Sequence, residues 1–187
     1  MDSTTLVSKC LKRDRKAQRE LFDRYKGMVM GICRRYARHT ADADDLFQEV
    51  FIKIFVQLKT LKNPEALGGW IKTIAVRTSL TYYQKQKTKN HENWKEIEEL
   101  KEVSSERDKE IISDLDLEIL LACLQHLPDS HRMVFNLFVI EGYRHQEIAE
   151  LLSISEASSR VYLTQARKTL QKHVSRLYHK GTETYES

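Results

Sequence analysis

Proline and glycine are scarce, two and six respectively in 187 residues. A chain this short of turn-formers, and rich in Leu, Lys, Glu, Arg and Gln, is expected to be almost entirely helical. Long apolar runs are missing too. None approaches a membrane span, and the opening Met-Asp-Ser-Thr-Thr lacks the basic start and apolar core of a signal peptide. The expectation is a soluble, cytoplasmic protein with no membrane insertion. Cysteine is limited to Cys10, Cys33 and Cys123, odd in number and far apart. That suits a reducing compartment and buried apolar thiols better than redox or zinc chemistry. Nor is there a phosphate loop, an evident nucleophile or a histidine at ligand spacing, so the sequence points to no enzyme, cofactor or metal.

The charge present is segregated. Residues 1–90 hold 19 Lys+Arg against 9 Asp+Glu, residues 91–118 hold 4 against 11, and residues 119–187 hold 8 against 7. In the last segment the cations concentrate at Arg160, Arg167, Lys168, Lys172, Arg176 and Lys180. Two basic surfaces flanking an acidic strap suggest two contacts with a polyanion. The strap also marks a boundary. We expect an all-α fold of two small helical domains, 1–90 and 117–178, joined by a flexible acidic linker over 91–116, with a polar tail over 179–187. Within the linker, Trp94, Ile97, Leu100 and Val103 recur at threes and would also suit an amphipathic helix on a partner.

The C-terminal domain carries the clearest pattern. Leu117 to Leu127 reads as a helix ended by Pro128, and Arg132 to Glu141 as another broken by Gly142. In YRHQEIAELLSISEASSRVYLTQARKTLQK, from Tyr143 to Lys172, an apolar stripe of Ile148, Ala149, Leu151 and Leu152 precedes the turn Ser153-Ile154-Ser155. A second helix buries Leu163, Ala166 and Leu170. Arg160, Tyr162, Thr164, Gln165, Arg167 and Lys168 are then divided between solvent and a partner. This is the layout of a helix-turn-helix whose second helix enters a DNA major groove.

In the N-terminal domain, Thr40 to Leu61 reads as a helix opened by Asp42, Asp44 and Asp45. One face holds Leu46, Val50, Ile54 and Leu58, beside a row of Phe47, Phe51 and Phe55. Asp45, Gln48, Glu49 and Lys53 form a polar face. Helix capping and partner contact explain the acids more economically than a magnesium site. KTLKNPEALGGW, from Lys59 to Trp70, is expected to be a loop. Lined by Lys59, Lys62 and Asn63, it suits either an unstacked nucleobase or a plain connection between helices. The following segment buries Ile71, Ile74, Ala75 and Leu80, with Trp70 expected as a core anchor. It also mixes Lys72, Arg77, Thr78, Thr81, Tyr82, Lys85, Lys87 and Lys89, cations with aromatic rings, which suits partly single-stranded DNA.

Three stretches in order, LVSKCLKRDRKAQRELFDRYKGMVMGICRRYARHTADADDLFQEVFIKIF, WIKTIAVRTSL and EIAELLSISEASSRVYLTQARKTLQ, resemble the bacterial sigma factors of the extracytoplasmic-function group. The resemblance runs from about Leu6 to Val174. It implies a non-catalytic subunit that binds core RNA polymerase, directs it to promoter DNA and helps open the duplex. It would place Asp45, Gln48, Glu49 and Ile52 on the clamp helices of the polymerase. Lys59, Lys62 and Asn63 would lie at a base-capturing loop, and Lys72, Arg77, Thr78, Thr81, Tyr82 and Lys85 near the minus-ten element. Ser158, Arg160, Val161, Tyr162, Thr164, Gln165, Arg167 and Lys168 would face the minus-thirty-five element. The linker would thread the polymerase interior, and an anti-sigma factor is a further partner of the class. The chain departs from the family pattern at Ser153, where many members carry glycine, at Ala157-Ser158 in place of Gly-Thr, and at Arg77, where asparagine is frequent. From the residues alone, a stand-alone helix-turn-helix regulator is the main alternative. A metal-dependent nucleic-acid enzyme is the other.

Overall fold

The computed structural model describes the backbone of residues 1–89 and 117–182 and the side chains of 1–85 and 119–176. The expected linker, with its apolar points, and most of the polar tail fall outside the described residues. The described fold is all-α, without a strand among the described residues. The chain divides into two compact units, 1–91 and 92–187.

The first unit contains α1 (Ser3–Leu11), α2 (Arg15–Tyr36), α3 (Thr40–Gln57) and α4 (Leu67–Lys89). Asp2 and Asp14 begin α1 and α2 in the same manner. Asp2 accepts from the backbone N–H of Thr5 at 2.8 Å, and Asp14 from those of Lys16 and Ala17 at 2.8 and 3.1 Å. These bonds satisfy donors that a helix start otherwise leaves open, and they hold both carboxyls below the usual carboxylate range. Helices α2, α3 and α4 pack on one another, and α1 lies on α2. The stripe Leu46, Val50, Ile54 and Leu58 is buried as expected. Phe47 and Phe51 close around Phe22 of α2, with ring centroids 5.8 and 4.7 Å away.

The region expected as a loop is shorter and more ordered. Leu58–Thr60 and Pro64–Ala66 form 3-10 turns, and Gly68 and Gly69 lie in the first turn of α4 rather than in the loop. Asn63 accounts for this, because its side chain accepts from the Glu65 N–H and Pro64 stands in the first position of the turn, where no N–H is needed. A glycine costs least in the first turn, where the backbone is already exposed at one end. Trp70 is half-buried.

The second unit contains α5 (Leu117–Gln125), α6 (Asp129–Phe135), α7 (His145–Leu152) and α8 (Glu156–Thr182). After Phe135 the helix widens into a π turn over Asn136–Ile140, which Gly142 ends at a φ of +82°. Helix α8 is longer than expected and runs into the polar tail as far as Thr182. The turn between α7 and α8 has two local determinants. Ser153 takes the left-handed conformation at φ 54°, ψ 54°, and Ser155 Oγ accepts from the N–H of Ser158 at 3.0 Å. A non-glycine residue in that conformation is strained by its Cβ. Ser153→Gly is therefore expected to raise stability by about 1 kcal/mol, read from the midpoint of urea unfolding. No gain would mean that the serine side chain offsets the strain.

All three cysteines are buried and free. Burial pushes the Cys10 thiol up to about 11, aided by Asp14 and Glu20, and the Cys33 thiol to about 12. Burial raises Cys123 as well.

Candidate nucleic-acid interface

Helix α3 presents two unlike faces. Its buried stripe leaves Asp45, Gln48 and Ile52 exposed on the other side, with Glu49 half-exposed and paired to Lys53 at 2.7 Å. Ile52 is 64 % exposed, and one turn on Val56 is 65 % exposed. Val56 was not anticipated. The signal for it was a β-branched residue four beyond Ile52 and outside the stripe of Leu46, Val50 and Ile54. The acids at the start of α3 do not join histidine or cysteine in a metal-holding group among the described residues.

Around the 3-10 turns and along α4, Lys59, Lys62, Asn63, Arg77, Thr81 and Lys85 are exposed, and Lys72 and Tyr82 are half-buried. Thr81 is turned toward its own helix, with Oγ1 donating to the Arg77 carbonyl at 3.0 Å. Thr78 requires a correction, because it is buried and cannot meet an opened strand. Helix α4 packs on both α2 and α3, so its buried arc takes in Ile74, Ala75 and Val76, then Thr78, Ser79 and Leu80. Such an arc is wider than the single stripe that helical spacing suggests.

The same reasoning corrects four residues of the second helix-turn-helix element. Ser158, Val161, Tyr162 and Thr164 are buried, and Tyr162 is only 3 % exposed. Helix α8 packs on α6 and α7 together. The hydroxyl of Ser158 is engaged with Ser155 Oγ at 2.8 Å, inside the cap. Thr164 Oγ1 donates to the Arg160 carbonyl at 3.1 Å. The Tyr162 ring stands edge-on to His131 of α6, with centroids 5.2 Å apart and planes at 89°.

Four of the expected positions remain accessible on this helix. Arg160 pairs with Glu156 one turn before it at 2.6 Å, and both are well exposed. Lys168 is exposed, and Arg167 lies half-buried with its guanidinium 5.9 Å from the Phe138 ring centroid. Gln165 is half-buried, its Oε1 2.5 Å from His131 Nε2. Burial holds the His131 imidazole below its ordinary value against the opposing effect of that bond. His131 was not anticipated, since a lone histidine on a helix carries no pattern.

Arg167 on Phe138 ties α8 to the π turn. Phe138 in turn stacks on His145 at 4.4 Å, and His145 Nδ1 meets Ser159 Oγ at 2.9 Å in the interior. The helix-turn-helix is thus cross-braced by aromatic and polar contacts as well as by its apolar seam.

Comparison with known proteins agrees with this geometry. The model of sigma-70 region 2 matches residues 21–89, and that of sigma-70 region 4 matches residues 117–170, together well over half of the chain. The chain is 28 % identical over 181 residues to the ECF RNA polymerase sigma-E factor of Escherichia coli, covering 92 % of this chain and 94 % of the relative. Against the sigma-E factor of Haemophilus influenzae the identity is 25 % over 181 residues, covering 92 % and 95 %. In fold it is similar to the sigma factor RpoE from Bartonella quintana, solved in complex with the anti-sigma factor NepR. There the TM-score is 0.51 at 16 % identity, covering 84 % of this chain and 96 % of the other. With regions 2 and 4 in order, one in each unit, the chain belongs to the extracytoplasmic-function group of the sigma-70 family.

Proposed function

We propose that this chain binds core RNA polymerase through the outer face of α3 and uses both units to select and open promoter DNA. The observation that carries it is the pair Ile52 and Val56, two large apolar side chains left in solvent on a helix whose other face is fully packed. Isolated apolar residues on a surface are ordinary, but two on adjacent turns, bordered by Asp45, Gln48 and Glu49, make a surface fit for a protein.

In this reading the units divide the labour. Asn63 with Lys59 and Lys62 receives a displaced base, and Lys72, Arg77, Tyr82 and Lys85 hold the adjacent strand by charge and stacking. Stacking contributes on the order of ~1–3 kcal/mol per base, enough to offset much of the unstacking. Arg160, Gln165, Arg167 and Lys168 meet the minus-thirty-five duplex. The chain itself performs no catalysis and acts in the cytoplasm, beside the polymerase. RpoE of Bartonella quintana was captured with an anti-sigma factor. We extend to this chain the expectation that a protein of that class holds it inactive.

The test is transcription from a library of promoter fragments by purified core polymerase, with and without the chain. Start sites that require the chain are the expected result. If none appears while the free chain shifts duplex DNA at physiological salt, the regulator reading replaces this one.

A further inference from the structure

On the helix that would read the promoter duplex, the half-buried Gln165 is tied to a neighbouring helix by a hydrogen bond to His131. A carboxamide oxygen only accepts, so the ring must carry its proton on Nε2 and donate it to Gln165 Oε1. The other ring nitrogen, Nδ1, is buried without a hydrogen-bond partner. An imidazolium would place a second N–H there with nothing to receive it, so the site keeps the ring neutral, and the lowered pKa agrees. The ring is also held in place, with Tyr162 standing edge-on against it. The arrangement is therefore rigid on the His131 side and one-directional in its hydrogen bond.

We propose that His131 is a positioning residue for promoter selectivity, holding Gln165 by its oxygen so that the amide nitrogen is the group left to meet a base. A free glutamine turns either end of its carboxamide outward and pairs with adenine through both, donating to N7 and accepting from N6. Held at Oε1, Gln165 offers a donor. It then favours a base that presents an acceptor to it in the major groove, such as guanine through O6 and N7 or thymine through O4, over cytosine, which presents its amino group there. The assignment rests on the sigma-factor reading, because only that reading puts α8 in the duplex.

Transcription from a promoter library, using core polymerase and the full chain, tests it through the base profile at each position. In the wild type one base pair of the upstream element should show the acceptor preference. Gln165→Ala should flatten it by about 5–10-fold, the discrimination carried by one good hydrogen-bonded contact. His131→Leu, which keeps bulk but has no N–H, should flatten the same base pair by a similar factor. The double variant should go no further. His131→Gln, whose amide can donate to Oε1, should retain the preference. Melting curves of each variant identify any loss that comes from unfolding. Should His131→Leu not fold, the contrast between His131→Gln and Gln165→Ala still decides. An unaltered profile in Gln165→Ala, or a His131→Leu effect equal over all sequences, would overturn the assignment alone. Absence of every chain-dependent start would overturn the sigma-factor reading and this assignment with it.

Discussion

Replacing Ile52 and Val56 together by glutamate is expected to weaken binding to core polymerase by at least about 30-fold and to silence chain-dependent transcription. Neither side chain is part of the core, at 64 % and 65 % exposure, so the folded chain should melt nearly unchanged. In a complex the same positions would lose their water. Hot-spot residues at such contacts are worth about 2 kcal/mol or more, and a carboxylate forced into the same place adds the cost of its own desolvation. The measurement is anisotropy of a dye-labelled chain titrated with core enzyme, with start-site yield beside it. Wild-type binding by a variant that melts normally would move the polymerase surface elsewhere in the molecule. Loss of binding together with loss of melting would point to structure, and single substitutions to serine would then separate the two.

Arg132→Met is expected to cost about 3–5 kcal/mol, the largest loss of stability of any substitution considered. The Arg132 side chain is 1 % exposed. One nitrogen meets Asp129 Oδ1 at 2.8 Å and the other Gln125 Oε1 at 2.7 Å. The guanidinium thereby joins α5 to the first turn of α6, across the break at Pro128. Taking it away removes both charge-assisted bonds from a corner where Asp129 is itself only 16 % exposed, and methionine can make neither. A small helical unit has total stability of about 5–15 kcal/mol, so the loss removes a large part of it. Hydrogen exchange read by mass spectrometry should show the amides of α5 and α6 opening first. Lysine should not rescue the site, because a single ammonium cannot span both partners as the planar fork does. Exchange unchanged in Arg132→Met would show that the surrounding apolar packing carries this corner without the charge.

The helices and the helix-turn-helix were legible because they rest on spacing and punctuation. Leu46, Val50, Ile54 and Leu58 declared a buried face, and Pro128 and Gly142 marked real breaks. Ser153-Ile154-Ser155 marked a real turn. Spacing failed wherever a helix is gripped from two directions. It assigns one stripe to the core and gives the remainder to solvent or a partner, which misplaced Thr78 on α4 and Tyr162 and Thr164 on α8, while Ser158 and Val161, placed by the family resemblance, are buried for the same reason. The Gly-Gly pair was misread for a different reason. Glycine signals a loop only on average, and here Asn63 and Pro64 begin the helical turn before the glycines are reached. His131 and Arg132 show the last kind of limit. Arg132 pairs with Asp129 three residues before it, but its second partner, Gln125, lies on the preceding helix across Pro128, and for His131 the partner lies 34 residues away. No local pattern announces that.

The buried thiols bear on how such a factor receives information. Peroxides and disulfides attack thiolates, and at Cys10 and Cys33 the anion is suppressed by several powers of ten at neutral pH, at sites that solvent hardly enters. Cys10 and Cys33 are therefore poor receivers of an oxidant in the folded chain. An oxidative signal sent through these two thiols would first have to unfold the helices that bury them, so a partner that releases or captures the chain is the easier receiver.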